Sequence, residues 1–597
     1  MKVSDYVAAF LARQGVRHVF AVSGGASLHL IHSIAHTPGV DYVCPQHEQA
    51  GAMAADAYAR ATGGLGAAIA TSGPGATNLI TGVCGAYYDS VPVLYITGQV
   101  TTFRLKRDLG VRQLGFQETD VVDMFRPVTK YAAQVARAED IRFHLEQAVH
   151  LATTGRPGPV LIDLPDDIQR AEVDEAALRG FTPEPVRVPA PSEGDIAAVL
   201  RAIEAAERPV LILGAGVRIA GATREAIEVA ERFQLPILPT WGARDLLPAA
   251  HPLNVGAFGT HGTRHGNFAV QNADLVIAVG ARLDTREAGS PLTTFARAAR
   301  KVVVDIDPAE VGKFAVLEAP FDHAITADAR AFLGALLGAA SPAPDAARTA
   351  EWRRQIARWR EAYPIGLSAP EPGGVDPYAF IGALSAALPE GAPVASDTGC
   401  ALAWSMQRFE FKAGQRFYHA FNNTPMGYAL PAAIGVAFAT DRPVVCLAGD
   451  GSLQMSLQEL STVVRHRLPI KVFLVNNGGY AMIRQTQDQW FGGEYLASTV
   501  DGGLGLPDWQ ALSAAFGFAT YRIDRTEDAA GVIARVLAEE GPAFCEVVVP
   551  PGCGVEPQVK FGRPLEDPEP LLPRAELAAN MLIPLHPSSQ VGMEVTP

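Results

Sequence analysis

Cysteine is scarce: there are six in 597 residues (Cys44, Cys84, Cys400, Cys446, Cys545 and Cys553), with no C-x-x-C pair among them. That gives no reason to expect a disulfide framework or a cysteine zinc site, and the thiols read as reduced core residues of a cytoplasmic protein. Basic residues are short as well. Lys plus Arg number 49 against 63 for Asp plus Glu, a formal charge of -14, which argues against a nucleic-acid partner whose phosphates need clustered positive charge. No apolar run approaches the ~20 residues of a membrane helix, so no membrane is expected. Lys2, Asp5, Arg13 and Arg17 interrupt the N-terminal segment where a targeting peptide would lie. What is plentiful is aliphatic: the chain is 48% hydrophobic but only 8% aromatic. The length predicts three or four domains of about 150 residues, each able to bury a core without a metal or disulfide staple.

Two proline-rich stretches read as linkers, Pro183–Pro191 and Ala339–Ala347 with Pro342 and Pro344. They divide the chain into 1–180, 192–338 and 348–555, followed by a tail, 556–597, read as a lid or a disordered end. Within each segment short apolar runs alternate with helical patterns. The runs His18–Val22, Ala67–Thr71, Val91–Thr97, Val210–Leu213, Leu275–Val279, Lys301–Val304, Val444–Leu447 and Ile470–Val475 predict strands buried on both faces. The fold class is therefore α/β, with three consecutive parallel-sheet domains. Ligands in such sheets sit beyond the carboxyl ends of strands.

One of those ends carries Gly449-Asp450-Gly451-Ser452, and the next strand ends in Asn476-Asn477. Glycines let backbone amides approach a phosphate, and a helix starting near Ser452 would direct its positive end at the same anion. The Asp450 carboxylate, the Asn477 amide oxygen and the Gly479 carbonyl form a hard oxygen set suited to Mg²⁺ completed by diphosphate oxygens. A tight turn followed by a polar loop end is the alternative.

G-D-G followed after some two dozen residues by N-N is the thiamin-diphosphate motif, and nearly the whole chain resembles the acetolactate synthase (acetohydroxyacid synthase) large-subunit family. The resemblance is carried by His47-Glu48-Gln49, Ala55–Arg60, Thr71–Asn78, Ile96–Gln99, Phe116–Thr119, Arg126–Lys130 and Met426-Gly427-Tyr428. It implies a thiamin-diphosphate-binding fold at both ends and a Rossmann-like middle domain. It also implies that Glu48 hydrogen-bonds N1′ of the aminopyrimidine, favouring the imino tautomer whose N4′ removes the C2 proton. Gly24, Gly25, Thr71, Pro74 and Asn78 would line the pyrimidine side, and Gly399, Gly449, Gly451, Ser452 and Tyr480 the diphosphate side. Met426 would wedge the cofactor into its bent form.

The same resemblance makes the middle segment a flavin domain. Gly214, Gly216, Thr240, Gly259, His261, Gly280, Arg282, Asp284, Arg286, Asp305, Ile306 and Asp328 are the FAD candidates, and the flavin is expected to be structural rather than redox-active. Arg286 would also face the substrate carboxylate, while Gln117 and Lys130 would polarise the acceptor carbonyl. The implied activity is decarboxylation of pyruvate and transfer of its hydroxyethyl unit to a small-molecule carbonyl acceptor. The implied active unit is a homodimer or homotetramer with sites between subunits. A flavin-coupled pyruvate oxidase, a non-oxidative decarboxylase and a silent cofactor-binding scaffold are the alternatives, the last disfavoured by intact Glu48, Asp450 and Asn477.

Four departures from the family bear on the acceptor. The stretch Thr101–Gly115 is long and basic (Arg104, Lys106, Arg107, Arg112); Cys400-Ala401 replaces a Gln-His pair; Asn422–Pro425 replaces a glycine-rich run, leaving the Thr424 carbonyl for the aminopyrimidine; and Thr486 stands in place of a tryptophan. Loss of the indole removes a large apolar wall. The expectation is an acceptor bulkier than a second 2-keto acid, such as a keto-sugar nucleotide.

Overall fold

The computed structural model describes residues 1–317, 319, 321–339, 347–367 and 372–590. Most of the second linker, with Pro342 and Pro344, and the last seven residues of the tail, 591–597, lie outside the described residues.

Three wholly parallel sheets follow one another along the chain. The first contains β1 (His18–Ala21), β2 (Asp41–Val43), β3 (Gly66–Ala70), β4 (Val93–Gln99), β5 (Tyr131–Gln134) and β6 (Val160–Pro165), in the order β2-β1-β3-β4-β6-β5. The second contains β7 (Pro209–Leu213), β8 (Ile237–Pro239), β9 (Leu275–Val279), β10 (Arg300–Asp305) and β11 (His323–Thr326), in the order β11-β10-β9-β7-β8. The third contains β12 (Pro393–Ser396), β13 (Arg416–Tyr418), β14 (Val444–Gly449), β15 (Ile470–Asn476), β16 (Ala519–Ile523) and β17 (Ala543–Val548), in the order β13-β12-β14-β15-β17-β16.

Every apolar run singled out in the sequence is a strand. Central strands such as β3, β4, β7, β9 and β14 are buried almost throughout, because helices cover both faces. Strands missing from the sequence reading include β2, β5 and β16, whose partly exposed edges carry mixed polar residues, short strands such as β8 and β13, and the buried interior strands β6, β12 and β17, whose runs include Asp163, Pro393 and Glu546.

Strand order changes direction between β1 and β3, between β7 and β9, and between β12 and β14. Open parallel sheets leave a crevice at such switch points. Gly24 and Thr71, Gly214 and Gly280, and Asp397 and Asp450 fall at these three places.

The two outer domains share a core. The helix Glu48–Thr62 is buried from Ala50 to Ala59, seven of those ten residues being alanine or glycine, and packs along the similarly small-faced helix Ala429–Thr440. Small residues are needed there: a Cβ on Gly435 would overlap the carbonyl of Ala54.

The tail, to residue 590, is strapped to the middle domain and to the helix Ala350–Ala362 that follows it. Val559 N–H donates to Thr260 O (2.8 Å), buried Glu566 pairs with Arg297 (2.7 Å), and Trp359 donates to Asn580 (2.7 Å).

Candidate active site

At the β1/β3 switch point, the side chain of Thr71 fills the space a Cβ on Gly24 would need, and Thr71 Oγ1 accepts from Ala26 N–H (3.3 Å). Pro74 starts the short helix Pro74–Asn78, which brings Asn78 Nδ2 to 2.9 Å from Glu48 Oε2. Glu48 opens the helix capped by His47, whose ring nitrogen accepts from Gln49 N–H (3.1 Å), and it is 9% exposed. Its other oxygen, Oε1, faces Gly75, where a Cβ would come within 3.3 Å. One carboxylate oxygen is thus held by Asn78 while the other remains approachable. Gln117, at φ +65°, lies against Gly73 of the same loop, so it joins this cluster. Gly25 begins a 3₁₀ turn after β1.

At the β12/β14 switch point, Asp450 starts a short helix directly after β14. Its oxygens accept from Gly451 N–H (2.7 Å) and Gly479 N–H (2.8 Å), and burial raises its pKa to about 6 despite these bonds. Gly451 must lack a side chain because a Cβ would overlap the Tyr480 ring. Asn477 Oδ1 is buried with no hydrogen-bond partner. An unpaired buried acceptor beside a buried carboxylate is the donor set a hard cation satisfies. Ser452 lies in the first turn, and Gly399 (φ +81°) precedes the helix Cys400–Arg408, which starts shortly after β12 at the same switch point. Thiamin diphosphate and Mg²⁺ therefore fit the residues present.

Two groups here escaped the sequence reading. Asp397, at the end of β12, accepts from Gly427 N–H (2.9 Å) and Tyr428 N–H (3.1 Å), and burial pushes its pKa up to about 7. It therefore fixes the turn that follows Met426. Arg484 donates to the carbonyls of Asn477 (3.0 Å), Gly478 (3.3 Å) and Pro551 (2.7 Å), bracing the Asn477–Gly479 loop from behind. The position of Asp397 after a strand, just before Gly399, was a usable signal; Arg484 had none.

The middle sheet opens onto a cleft of about 800 Å³. Gly216, Thr240, Gly280, Arg282, Asp284, Arg286, Asp305, Ile306 and Asp328 line it; Gly214, Gly259 and His261 do not. Gly214 supports the loop from below, since a Cβ there would overlap the Gly280 carbonyl. His261 is partly buried beside Trp241 and Gln558, and desolvation lowers its pKa to about 4. Trp241, Glu287, Phe421 and Asn422 line the cleft without having been anticipated. Arg286 sits over the Trp241 ring (4.7 Å) and donates to Phe421 O (3.4 Å). The opposed glycines and the acidic strand end are suited to a dinucleotide diphosphate and ribose, so FAD fits as well.

The remaining candidates lie apart. Lys130 spends its ammonium on the carbonyls of Thr154 and Arg156, both at 2.7 Å. Thr486 is exposed on the helix Ala481–Phe491, its hydroxyl bonded to Met482 O (3.0 Å). Among the described residues no hydrogen bond joins the Glu48 cluster to Met426 or to the Asp450 loop.

Fold and site together define a thiamin-diphosphate enzyme. Residues 1–124, 196–336 and 397–547 match the N-terminal TPP binding, central and C-terminal TPP binding domains of thiamine pyrophosphate enzymes. Similar proteins include the acetolactate synthase large subunit of Parasynechococcus marenigrum (37% identity over 98% of this chain and 91% of that protein) and that of Corynebacterium glutamicum (37%, over 91% and 86%). Acetolactate synthase isozyme 1 large subunit of Escherichia coli is 34% identical over 94% of this chain and 96% of that protein. The chain belongs to the acetolactate synthase large-subunit family of thiamin-diphosphate-dependent carboligases.

Proposed function

We propose that this carboligase decarboxylates pyruvate and passes the two-carbon unit to an acceptor bulkier than a second 2-keto acid, a keto-sugar nucleotide, with acetolactate as its lesser product. The observation behind the acceptor choice is Thr486, whose short exposed side chain stands on the helix that follows the Asp450 and Asn477 loops. Arg104, Arg107 and Arg112 add exposed positive charge on a loop that Glu118 organises by accepting from the amides of Lys106 (2.6 Å), Leu114 (2.8 Å) and Gly115 (3.3 Å).

Thiamin diphosphate, when bound, supplies the electron sink for loss of CO₂. The chain's own residues do the rest. Asp450, Asn477 and the Gly479 carbonyl would hold Mg²⁺, and the Ser452 amide in the first helical turn would hold the diphosphate. Glu48 would share a proton from Oε1 while Asn78 restrains Oε2. Met426 would support the cofactor's bent form, and Arg286 would orient a substrate carboxylate by its guanidinium fork. Gln117, beside the Glu48 cluster, would donate to the acceptor carbonyl; Lys130, tied to two backbone carbonyls, would shape the surrounding backbone. FAD would occupy the middle cleft in a structural role.

A homodimer supports this arrangement. Phe103, Leu109, Leu114 and Phe116 on the basic loop are exposed (Phe116 by 86%), as are Ile483, Trp490, Phe491 and Phe561 around Thr486 (Phe491 by 66%). Exposed apolar patches of this kind mark interfaces. The first lies among arginines and the second among Asp488, Glu494 and Asp501, so a second copy would pair them with complementary charge and bring Glu48 of one chain to Met426 of the other.

The test is to incubate purified protein with Mg²⁺, thiamin diphosphate, FAD and labelled pyruvate and to identify products by NMR. Slow turnover that accelerates on adding a keto-sugar nucleotide is expected. Rapid acetolactate formation indifferent to the nucleotide would defeat the acceptor reading, and flavin bleaching by pyruvate alone would point to an oxidase.

A further inference from the structure

Met426 lies in the segment 420–428, which joins β13 to the helix Ala429–Thr440. Both ends of that segment are tied to carboxylates, and the ties at its start come from the N-terminal domain. Asp89, at the end of the helix Ile80–Tyr88, accepts from the backbone amides of Phe421 (2.8 Å) and Asn422 (3.0 Å) and from the side-chain amide of Asn422 (2.6 Å). The Asp89 side chain is only 4% exposed. Its Oδ2 also receives Arg60 Nη2 at 2.8 Å, and Arg60 in turn grips Asp56 through two bonds of 2.9 and 3.1 Å.

The network closes at the far end of the segment. Asp56 accepts from the hydroxyl of Tyr428 at 2.5 Å, while Asp397 takes the amides of Gly427 and Tyr428. Between the anchors, Asn423, Thr424, Pro425 and Met426 are only partly buried, and Thr424 is held at φ +43°. A left-handed threonine costs energy and persists only where its surroundings over-determine it.

Most of the bonds Asp89 accepts come from Phe421 and Asn422, near the start of the Met426 segment, rather than from a side chain of the domain core. A buried carboxylate aimed at successive backbone amides fixes where a loop leaves the protein, and charge-assisted bonds of this kind are the strong ones. Asp56 and Arg60 lie about two and three turns beyond Glu48 on one helix. That helix therefore carries the acid–base glutamate at its start and the brace for the methionine segment further on.

We propose that Asp89, locked in place by Arg60, is a positioning residue for Met426, setting from the N-terminal domain of the same chain how that side chain is presented to thiamin diphosphate. This rests on the reading above that Met426 supports the bent cofactor. Asp89, Arg60, Phe421 and Asn422 also line the middle cleft, but in this role Asp89 acts on thiamin diphosphate only through the segment it anchors.

The experiment uses the full-length protein loaded with Mg²⁺ and thiamin diphosphate and follows exchange of the C2 proton into deuterated water by quench and proton NMR. Protein fluorescence gives the cofactor affinity in parallel. At saturating cofactor Asp89→Asn is expected to slow exchange about tenfold or more, since misplacement near a reacting centre is felt steeply. Asn422→Ala removes one exposed donor and is expected to slow exchange about threefold. A brace that merely held the domains together would lower stability and leave exchange at saturation untouched, so wild-type exchange in folded Asp89→Asn overturns the proposal. If Asp89→Asn does not fold, wild-type exchange in Asn422→Ala overturns it instead. Failure of the underlying reading looks different: the unsubstituted protein would then not accelerate C2 exchange over free cofactor.

Discussion

The first and third sheets have one topology used twice. Their strand orders, β2-β1-β3-β4-β6-β5 and β13-β12-β14-β15-β17-β16, superimpose position for position. The helices that follow the second strand of each, Glu48–Thr62 and Ala429–Thr440, pack against one another. What stands at equivalent places differs. The loop after β2 delivers Glu48, whereas the loop after β13 delivers Met426. The loop after β3 is Thr71–Asn78, uncharged and rich in small residues, whereas β14 ends in Gly449-Asp450-Gly451. One copy places a buried carboxylate at the start of a long helix, held through one oxygen by Asn78; the other buries it at the start of a short helix, among backbone amides and an unpaired amide oxygen. The fold supplies two crevices, and in the function proposed above the residue type at each strand end decides which would serve as the acid–base and which as the cation site.

That contrast can be broken from either side. The largest effect is expected from Glu48→Gln, which keeps the hydrogen bond from Asn78 but removes the exchangeable proton. C2 exchange should slow by roughly a hundredfold to ten-thousandfold, with cofactor affinity by fluorescence nearly unchanged; unchanged exchange would remove Glu48 from its role. Asp450→Ala should show the opposite pattern. Losing a charged anchor worth about 3 kcal/mol weakens binding of thiamin diphosphate with Mg²⁺ roughly a hundredfold by titration, and a variant that bound normally would shift the cation site elsewhere. Thr486→Trp sharpens the third-sheet side alone. Rebuilding the apolar wall should cut transfer to a bulky acceptor about tenfold while sparing acetolactate, and equal loss of both products would refute a selective pocket.

The smallest effect concerns a buried carboxylate of the first sheet that does no chemistry. Asp163 on β6 accepts from Thr97 (2.7 Å), Gln99 (3.1 Å) and Gln134 (2.8 Å), and burial still raises its pKa to about 6 from 3.8. The folded protein then binds more protons than the unfolded chain between those values. Stability contributed by this group is fully present below 3.8, falls as pH rises through the window and levels off above about 6. Asp163→Asn should flatten that part of the Tm-against-pH curve; an unaltered curve would assign the slope to other groups such as Glu459, raised to about 7 by burial.

Much of the site was legible before folding because its chemistry is local. Asp450 and its glycines are adjacent in sequence, Asn477 follows the next strand, and Glu48 sits in a short block with His47. Requirements of that kind, a turn without side chains or a carboxylate at a strand end, leave residue types at fixed spacing. Many buried central strands were equally visible, since helices on both faces demand continuous apolar runs, although β6, β12 and β17, equally buried, were not. Edge strands were not, because partial exposure dilutes the pattern.

The parts that tertiary structure alone decided are the long-range ones. Asp89 meets Phe421 and Asn422 across more than three hundred residues, and Asp56 meets Tyr428 across a similar span. Lys130 and Arg484, alike in sequence as single basic residues, end up braced against different sets of backbone carbonyls. Nothing local marks such partners: the energy of a buried hydrogen bond or ion pair depends on distance and desolvation in space, and neither quantity is written along the chain. The sequence by itself determined which groups are proposed to do the chemistry; long-range packing, such as that of the helix Glu48–Thr62 against Ala429–Thr440, determined which groups hold them still.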